Sequence, residues 1–394
     1  MAATNLVMIP EVWPMEALLV SSELDGTNGH NRATNNRPQI AASNDMDAIK
    51  AWLARFADTK TTFDSYRREA ERLLLWTVIE LNKPLSSLTH EDCLIYQRFL
   101  ADPQPAHRWI MPQRKVSRND PSWRPFAGPL SPTSQRQSIV ILNTMFSWLV
   151  TAGYLAGNPL SLSRHRQRKA KPRVTRFLNE ELWKEVKLTI ESMPRETNRQ
   201  REHYHRVRWL VSLLFTTGIR ISEVIQNSMG GFFMRRDNLG DNRWWLEVTG
   251  KGNKTRLVPV TNDLVIELKR YRREMGLSDL PTEGETVPLL LPIGGKQRFL
   301  SRAGVHLILK RVFYDTAQRL LQRGPESKIQ AEKVLAASAH WMRHTAGSNM
   351  AEGMELQYVR DNLGHESLTT SSNYIHTEDD KRHRHTEEMH KLNW

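Results

Sequence analysis

The C-terminal part of the chain contains the segment His340-Trp341-Met342-Arg343-His344, then Leu363-Gly364-His365 and, nine positions further on, Tyr374. In a helix His340, Arg343 and His344 lie on one face, because residues three and four apart are neighbours on a helix surface. A turn at Gly364 could fold the following segment back onto that face. A fixed positive charge, imidazoles and a phenol together suit an anionic phosphate under attack by a tyrosine oxygen.

Two shorter motifs lie upstream of this segment. The first is Thr217-Gly218-Ile219-Arg220-Ile221-Ser222-Glu223, and the second is Gly250-Lys251-Gly252-Asn253-Lys254-Thr255-Arg256. With the two C-terminal pieces, they form four motifs in a fixed order between about residues 177 and 374. In content and order these motifs resemble those of the tyrosine recombinases, the phage-integrase family.

The resemblance implies a mainly α-helical fold with a small antiparallel β-sheet. It implies two domains that clamp DNA, an α-helical core-binding domain and an α+β catalytic domain. It also implies a catalytic set, which is Arg220, Lys251, His340, Arg343, His365 and Tyr374. In such a set the tyrosine attacks the scissile phosphate, and the lysine protonates the leaving 5′ oxygen.

The residue types fit the tasks of phosphoryl transfer to a tyrosine. The planar forks of Arg220 and Arg343 can each grip two phosphate oxygens and never lose their charge. His340 can take the phenolic proton, and His365 can donate a hydrogen bond to the phosphate. The structural alternative for Arg220 is an ion pair, for which Glu223 is the possible partner.

Two assignments stay open. Lys251 lies between two glycines in a predicted hairpin turn, which permits close approach to a ligand, but Lys254 lies in the same turn and is the alternative acid. His344 is expected to pack or bond within the domain, so we place it outside the catalytic set.

Length and composition set the class of protein. The 394 residues suit two domains plus tails, and 39% hydrophobic with 25% charged residues indicates a globular chain. The net charge of +13 favours polyanionic partners. No apolar run approaches the roughly 20 residues that span a bilayer, and no secretory signal is evident. The single cysteine, Cys93, suits a reducing compartment.

Composition shifts divide the chain into five segments. Residues 1–44 are polar and aperiodic and are expected to be a mobile N-terminal segment. Residues 45–163 form the α-helical core-binding domain, 164–176 a basic interdomain linker and 177–377 the catalytic domain. Residues 378–394 form a C-terminal tail that we expect to dock in trans on a neighbouring protomer.

Local patterns predict the individual elements. Apolar periodicity and capping signals predict a helix from residue 45 and further helices over 62–82, 89–100, 131–153, 203–216, 263–275 and 302–322. Alternating and β-branched residues predict a hairpin of two strands, 243–249 and 255–260, around the Gly250–Lys254 turn.

A long insert between the third and fourth helices, residues 103–130, alternates basic residues with tryptophan and proline. Long loops are uncommon in compact domains unless they are functional, so we expect this insert to lie against a phosphate backbone. With the basic linker, exposed helix positions and the hairpin turn it supplies the predicted DNA-binding residues, which are Arg67, Arg68, Arg108, Arg114, Lys115, Arg118, Arg136, Arg166, Arg168, Lys169 and Lys254.

The resemblance implies a site-specific DNA recombinase that uses no cofactor. His340 and His344 have the spacing of a zinc-protease helix, but Trp341 stands where such a helix carries its glutamate, so no metal is expected. The expected partners are double-stranded DNA with paired recombination sites, further protomers in a homotetramer, and accessory DNA-bending or partner recombinase proteins. The expected location is the cytoplasm, at the nucleoid. The alternatives are a type IB topoisomerase-like enzyme and a DNA-binding regulator that does not cleave.

Overall fold

The computed structural model describes residues 12–34, 39–113, 116–162 and 176–365. The chain divides into two compact units between Gln167 and Arg168. This division falls within the predicted linker, residues 164–176, of which all but the last lie outside the described residues. The predicted tail, residues 378–394, also lies outside them.

The first unit is helical. Its helices are α1 (Asp45–Ala54), α2 (Lys60–Glu80), α3 (His90–Ala101), α4 (Ala106–Trp109) and α5 (Pro132–Thr151). α5 packs against α1, α2 and α3 and so forms the centre of the unit. Trp52, Trp76 and Phe146 are buried in its core.

The helix starts in this unit follow the capping signals of the sequence. The Asn44 side chain accepts a hydrogen bond from the Asp47 amide at the start of α1. Thr89 and Asp92 form the predicted capping box of α3, and Ser131 caps α5 just before Pro132. Each cap satisfies amide groups that the first turn of a helix leaves without a partner.

The N-terminal segment, which its composition predicts to be mobile, contacts the helical unit in its described part. In its described part, residues 12–34 and 39–44, Met15 is buried and its amide donates to Glu71 at 2.8 Å. Further along, Asn31 exchanges two hydrogen bonds with the backbone of Gly157. The local sequence does not predict these contacts, because they join polar groups that are far apart along the chain and leave no apolar periodicity.

The described part of the insert, residues 103–113 and 116–130, packs into the helical unit. Trp109 and Phe126 are completely buried, and their backbones pair with each other. The indole of Trp109 donates to Glu80 at 2.7 Å, and Trp123 is 7% exposed. The aromatic residues of the insert therefore belong to the core of the helical unit.

The second unit joins helices to one sheet. Its helices are α6 (Glu180–Glu191), α7 (Asn198–Thr217), α8 (Ile221–Val224), α9 (Asn262–Glu274), α10 (Arg302–Leu321), α11 (Lys328–Ala336), α12 (Ala339–Gly353) and α13 (Leu356–Leu363). α7 packs against α6, α9, α10 and α12. Its apolar residues, among them Val207, Leu210 and Leu214, are buried as its sequence predicted.

The sheet has three antiparallel strands in the order β1 (Phe232–Arg236), β2 (Asn242–Thr249) and β3 (Thr255–Val260). β2 and β3 form the predicted hairpin, with Thr249 opposite Thr255. β1, which the sequence did not predict, pairs with β2 from Phe232↔Leu246 to Arg236↔Asn242. The fold is therefore mainly α-helical with a small antiparallel sheet, as expected. None of the described helices is long and apolar enough to cross a membrane.

Candidate active site

The site forms where α7 ends. Gly218 closes α7 in the left-handed conformation, with φ of 63°. A Cβ atom on Gly218 would lie 2.5 Å from the Leu363 side chain, so both the backbone and the packing require glycine. The turn places Arg220 at the N-cap of α8, with a side chain that is 39% exposed.

Arg343 lies at the centre of the site. Its side chain is 2% exposed, and one guanidinium nitrogen donates to the Gly218 carbonyl at 2.6 Å. A second nitrogen donates to the Leu363 carbonyl, also at 2.6 Å. Arg343 thus links the end of α7 to the end of α13 and brings a fixed positive charge to their junction.

Three histidines surround this charge. His340 and His344, one turn apart on α12, meet edge to face with ring centroids 4.2 Å apart. His365 follows Gly364, which ends α13 with φ of 63°. The predicted turn at Gly364 therefore exists, and it returns the chain toward α12.

The surroundings of His340 and His365 favour the neutral form of both imidazoles. Burial lowers the pKa of His365 to about 4, and the charges of Arg343, Arg220 and Arg256 add to the effect. Burial also lowers the pKa of His340, again with Arg343 and Arg220 contributing. A neutral imidazole can accept a proton on one nitrogen and donate a hydrogen bond from the other. A phosphate in the site would offset the arginine charges and raise both pKa values toward their usual range.

Glu223 is the acidic residue of the site. Its side chain is 1% exposed and forms a hydrogen bond with the Arg220 amide at 2.7 Å and another with the Arg220 guanidinium at 3.2 Å. The predicted ion pair of Arg220 is therefore present. Arg220 keeps a large exposed fraction, so this pair does not remove it from contact with a ligand.

The hairpin between β2 and β3 carries the two lysine candidates. The Gly250 amide donates to the Lys254 carbonyl at 2.9 Å and closes the turn. Residues Lys251–Asn253 form a short 3₁₀ turn in which Gly252 has φ of 73°. Lys251 and Lys254 therefore belong to the same turn.

The predicted catalytic residues therefore divide into three groups. The structure brings Arg220, His340, Arg343 and His365 together. Lys251 lies in the hairpin turn. Tyr374 lies outside the described residues.

The predicted DNA-binding residues of the helical unit are described in part. Arg67, Arg68 and Arg118 line one cleft beside Trp123. Arg118 pairs with the buried Glu71 at 2.6 Å, so its charge is partly neutralised by its own domain. Arg68 is exposed and has no ion-pair partner among the described residues.

Of the other predicted DNA-binding positions, Arg108 contacts Glu80 at 3.5 Å and Arg136 donates to the Pro132 carbonyl at the start of α5. Lys254 is exposed on the hairpin. The remaining positions lie outside the described residues; they are Arg114, Lys115, Arg166, Arg168 and Lys169.

The sequence interpretation missed Arg256. This residue lies on β3, and its guanidinium forms two hydrogen bonds with Glu223. Its position in the lysine motif was noted, but nothing in the local sequence links it to a carboxylate 33 residues away.

Comparison with known proteins gives the family of the chain. A model of the phage integrase family matches residues 187–381. Tyrosine recombinase XerD of Rhizobium meliloti is 29% identical over 188 residues, which are 48% of this chain and 52% of the relative. Tyrosine recombinase XerC of Chlorobaculum parvum is 27% identical over 263 residues, 63% of this chain and 70% of the relative. The chain thus spans about half the length of one relative and about two thirds of the other.

Solved structures share the fold. XerH site-specific recombinase bound to palindromic difH substrate has a TM-score of 0.57 at 17% identity, covering 86% of this chain and 82% of that one. The Tn1549 transposon integrase with transposon right end DNA has a TM-score of 0.56 at 15% identity, covering 87% and 98%. At 15–17% identity these likenesses show the fold alone. The chain belongs to the phage integrase family, the tyrosine recombinases.

Proposed function

We propose that the protein is a site-specific DNA recombinase that cuts and rejoins strands through a 3′-phosphotyrosyl intermediate. The observation that carries this proposal is that Arg220, Arg343, His340 and His365 lie around one junction, where burial and the arginine charges lower the pKa of both histidines. This arrangement suits a phosphate dianion-like transition state, because fixed donors and charges stabilise developing negative charge without reorganising.

The reaction follows from these groups. Arg220 and Arg343 hold the non-bridging phosphate oxygens, and His365 donates a hydrogen bond to one of them. The Tyr374 oxygen attacks phosphorus and loses its proton to His340. The bond between phosphorus and the 5′ oxygen breaks, and that oxygen takes a proton from Lys251 or Lys254. A 5′ hydroxyl of the partner duplex then attacks the phosphotyrosine and gives its proton back to the lysine. The bond between phosphorus and the Tyr374 oxygen breaks, that oxygen regains its proton from His340, and the strand is rejoined without an external energy source.

Two rounds of this exchange pass through a four-way junction. The proposed assembly is therefore a homotetramer on two paired duplex sites, with accessory DNA-bending or partner recombinase proteins where a system needs them. The tail at 378–394 would dock in trans within this assembly.

A nicked duplex tests the proposal. When cleavage occurs close to a nick, the short 5′-hydroxyl fragment diffuses away and the covalent intermediate accumulates. Wild-type protein is expected to yield a band on denaturing gels that is resistant to detergent and sensitive to protease. Recombinant joints between two labelled duplexes distinguish a recombinase from a topoisomerase-like enzyme, which reseals one duplex. Specific binding with neither adduct nor joints would support a regulator instead.

The leaving-group acid is tested with a 5′-bridging phosphorothiolate, in which sulfur replaces the leaving oxygen. Lys251→Ala is expected to cleave normal DNA poorly and the sulfur substrate well, because a thiolate leaves without a proton. Lys254→Ala is the matched variant in the same turn. Rescue of Lys254→Ala alone would assign the acid to Lys254.

A further inference from the structure

The buried carboxylate of Glu223 lies at a junction of three segments. It contacts Arg220 at the end of α7, and a Cβ atom on Gly250 would lie 2.9 Å from its Oε1 atom. It also pairs with Arg256 on β3, with distances of 2.9 Å from Nη1 to Oε1 and 2.9 Å from Nη2 to Oε2. One carboxylate therefore connects the first arginine of the site, the lysine turn and the sheet.

Arg256 extends the junction to a fourth segment. Its Nε atom donates to the Asn362 carbonyl at 3.2 Å, in the last turn of α13. A Cβ atom on Gly364 would lie 2.8 Å from the Arg256 Cδ atom, so the corner that precedes His365 packs directly on this side chain. The three guanidinium nitrogens of Arg256 therefore donate to groups near proposed catalytic residues: Nη1 and Nη2 to Glu223, which contacts Arg220, and Nε to Asn362, which lies three positions before His365.

The charge of Glu223 needs this partner. Burial has the largest effect and alone would raise the pKa of the Glu223 carboxyl, but the hydrogen bonds and charges of Arg256 and Arg220 together outweigh it and lower the pKa. The carboxylate thus stays ionised within 3.2 Å of the Arg220 guanidinium. Without Arg256, the Glu223 carboxylate would keep Arg220 as its charged partner among the described residues. It would then compete with a phosphate for the Arg220 guanidinium.

We propose that Arg256 is a positioning residue for DNA cleavage, which keeps Arg220 available to the phosphate by binding both oxygens of Glu223. Its bond to the Asn362 carbonyl holds the His365 corner against the same junction. This inference rests on the proposed recombinase function. It assigns no contact between Arg256 and DNA.

A double-mutant cycle tests the proposal. Cleavage of the nicked duplex is measured at saturating DNA for wild type, Arg256→Gln, Arg220→Ala and the double variant. Arg256→Gln is expected to slow adduct formation by about tenfold or more while DNA affinity changes little. In the Arg220→Ala background, Arg256→Gln is expected to slow adduct formation far less, because the side chain that Arg256 positions is already absent.

Arg208→Gln is the matched control. Arg208 forms a comparable two-fold pair with Glu267, at 2.8 Å and 2.8 Å, between α7 and α9. We expect it to lower the melting temperature about as much as Arg256→Gln does and to leave cleavage unchanged. If Arg256→Gln does not fold, Arg256→Lys keeps the charge but loses the fork, and its cleavage is expected to fall below that of wild type.

Two results would overturn the inference. One is that Arg256→Gln cleaves DNA as fast as Arg208→Gln does, and the other is that Arg256→Gln slows cleavage by the same factor with Arg220 as with Ala at position 220. For Arg256→Lys, a wild-type rate would do the same. Failure of wild-type protein to form any adduct is a different outcome, because it removes the proposed function itself.

Discussion

Tyr374→Phe is expected to abolish the covalent protein–DNA adduct and to leave DNA binding nearly unchanged. The substitution removes one oxygen, which is the atom that forms the bond to phosphorus. Affinity for a duplex half-site depends mainly on phosphate contacts, so we expect it to change by less than about twofold. Denaturing gels of the nicked-substrate reaction measure the adduct, and gel-shift titrations at one salt concentration measure the affinity.

Tyr358→Phe is the control for the loss of a tyrosine hydroxyl. Tyr358 lies on α13, 16 positions before Tyr374, and is 58% exposed. It belongs to none of the four motifs, and its variant is expected to form the adduct at the wild-type rate. An adduct that persists in Tyr374→Phe would show that another side chain is the nucleophile, and peptide mapping of the linked DNA would identify it.

The local geometry of the proposed site could be predicted from the sequence because each motif is short. His340, Arg343 and His344 needed only helix periodicity to share a face, and Gly364 needed only its tolerance of positive φ to predict the turn before His365. The β2–β3 hairpin followed from two alternating runs around a glycine-rich turn. In each case the information lies within about ten residues of the feature.

Contacts between distant segments were missed. β1 carries two phenylalanines and two arginines in five residues, a pattern without clear alternation, and its pairing with β2 makes it a strand. In the sequence, Arg256 is one of several basic residues in and after the lysine turn. Its pairing with Glu223 is evident only in the folded structure. Local patterns do not encode such pairings, because the partners are separated along the chain.

In the helical unit, a segment rich in basic and aromatic residues packs on its own domain. Arg118 and Trp123 stand in an insert whose composition suggests a nucleic-acid surface. Yet the guanidinium carbon of Arg118 lies 5.2 Å from the centre of the Trp123 ring, and Arg118 also pairs with Glu71. The same residues can stabilise a loop on its own domain, since cation–π and ion-pair contacts serve either purpose. Composition alone does not separate the two uses.

Arg220 and Arg343 have the same proposed chemistry but different structural surroundings. Arg220 is 39% exposed, and its backbone contact with Glu223 does not require its side chain. Arg343 is buried and supplies donors to the carbonyls of Gly218 and Leu363. The two residues can therefore be distinguished by combining a stability measurement with a cleavage measurement.

Arg343→Ala is expected to lose both properties. Cleavage should fall by about 10²-fold or more, the usual scale for one preorganised anion stabiliser. Each carbonyl left buried without a donor costs about 1–3 kcal/mol, so the melting temperature should fall by several degrees. Arg220→Ala should show a similar loss of cleavage with a much smaller change in melting temperature.

Arg343→Lys separates charge from geometry. A lysine ammonium keeps the positive charge, but it lacks the planar fork that reaches the Gly218 and Leu363 carbonyls together. We therefore expect its melting temperature to lie between those of Arg343→Ala and wild type, and its cleavage to remain low. Single-turnover cleavage of the nicked duplex and thermal melting of each variant measure the two effects. Full cleavage by Arg343→Lys would mean that charge alone is needed at this position, and an unchanged melting temperature in Arg343→Ala would mean that the two carbonyl contacts do not stabilise the fold.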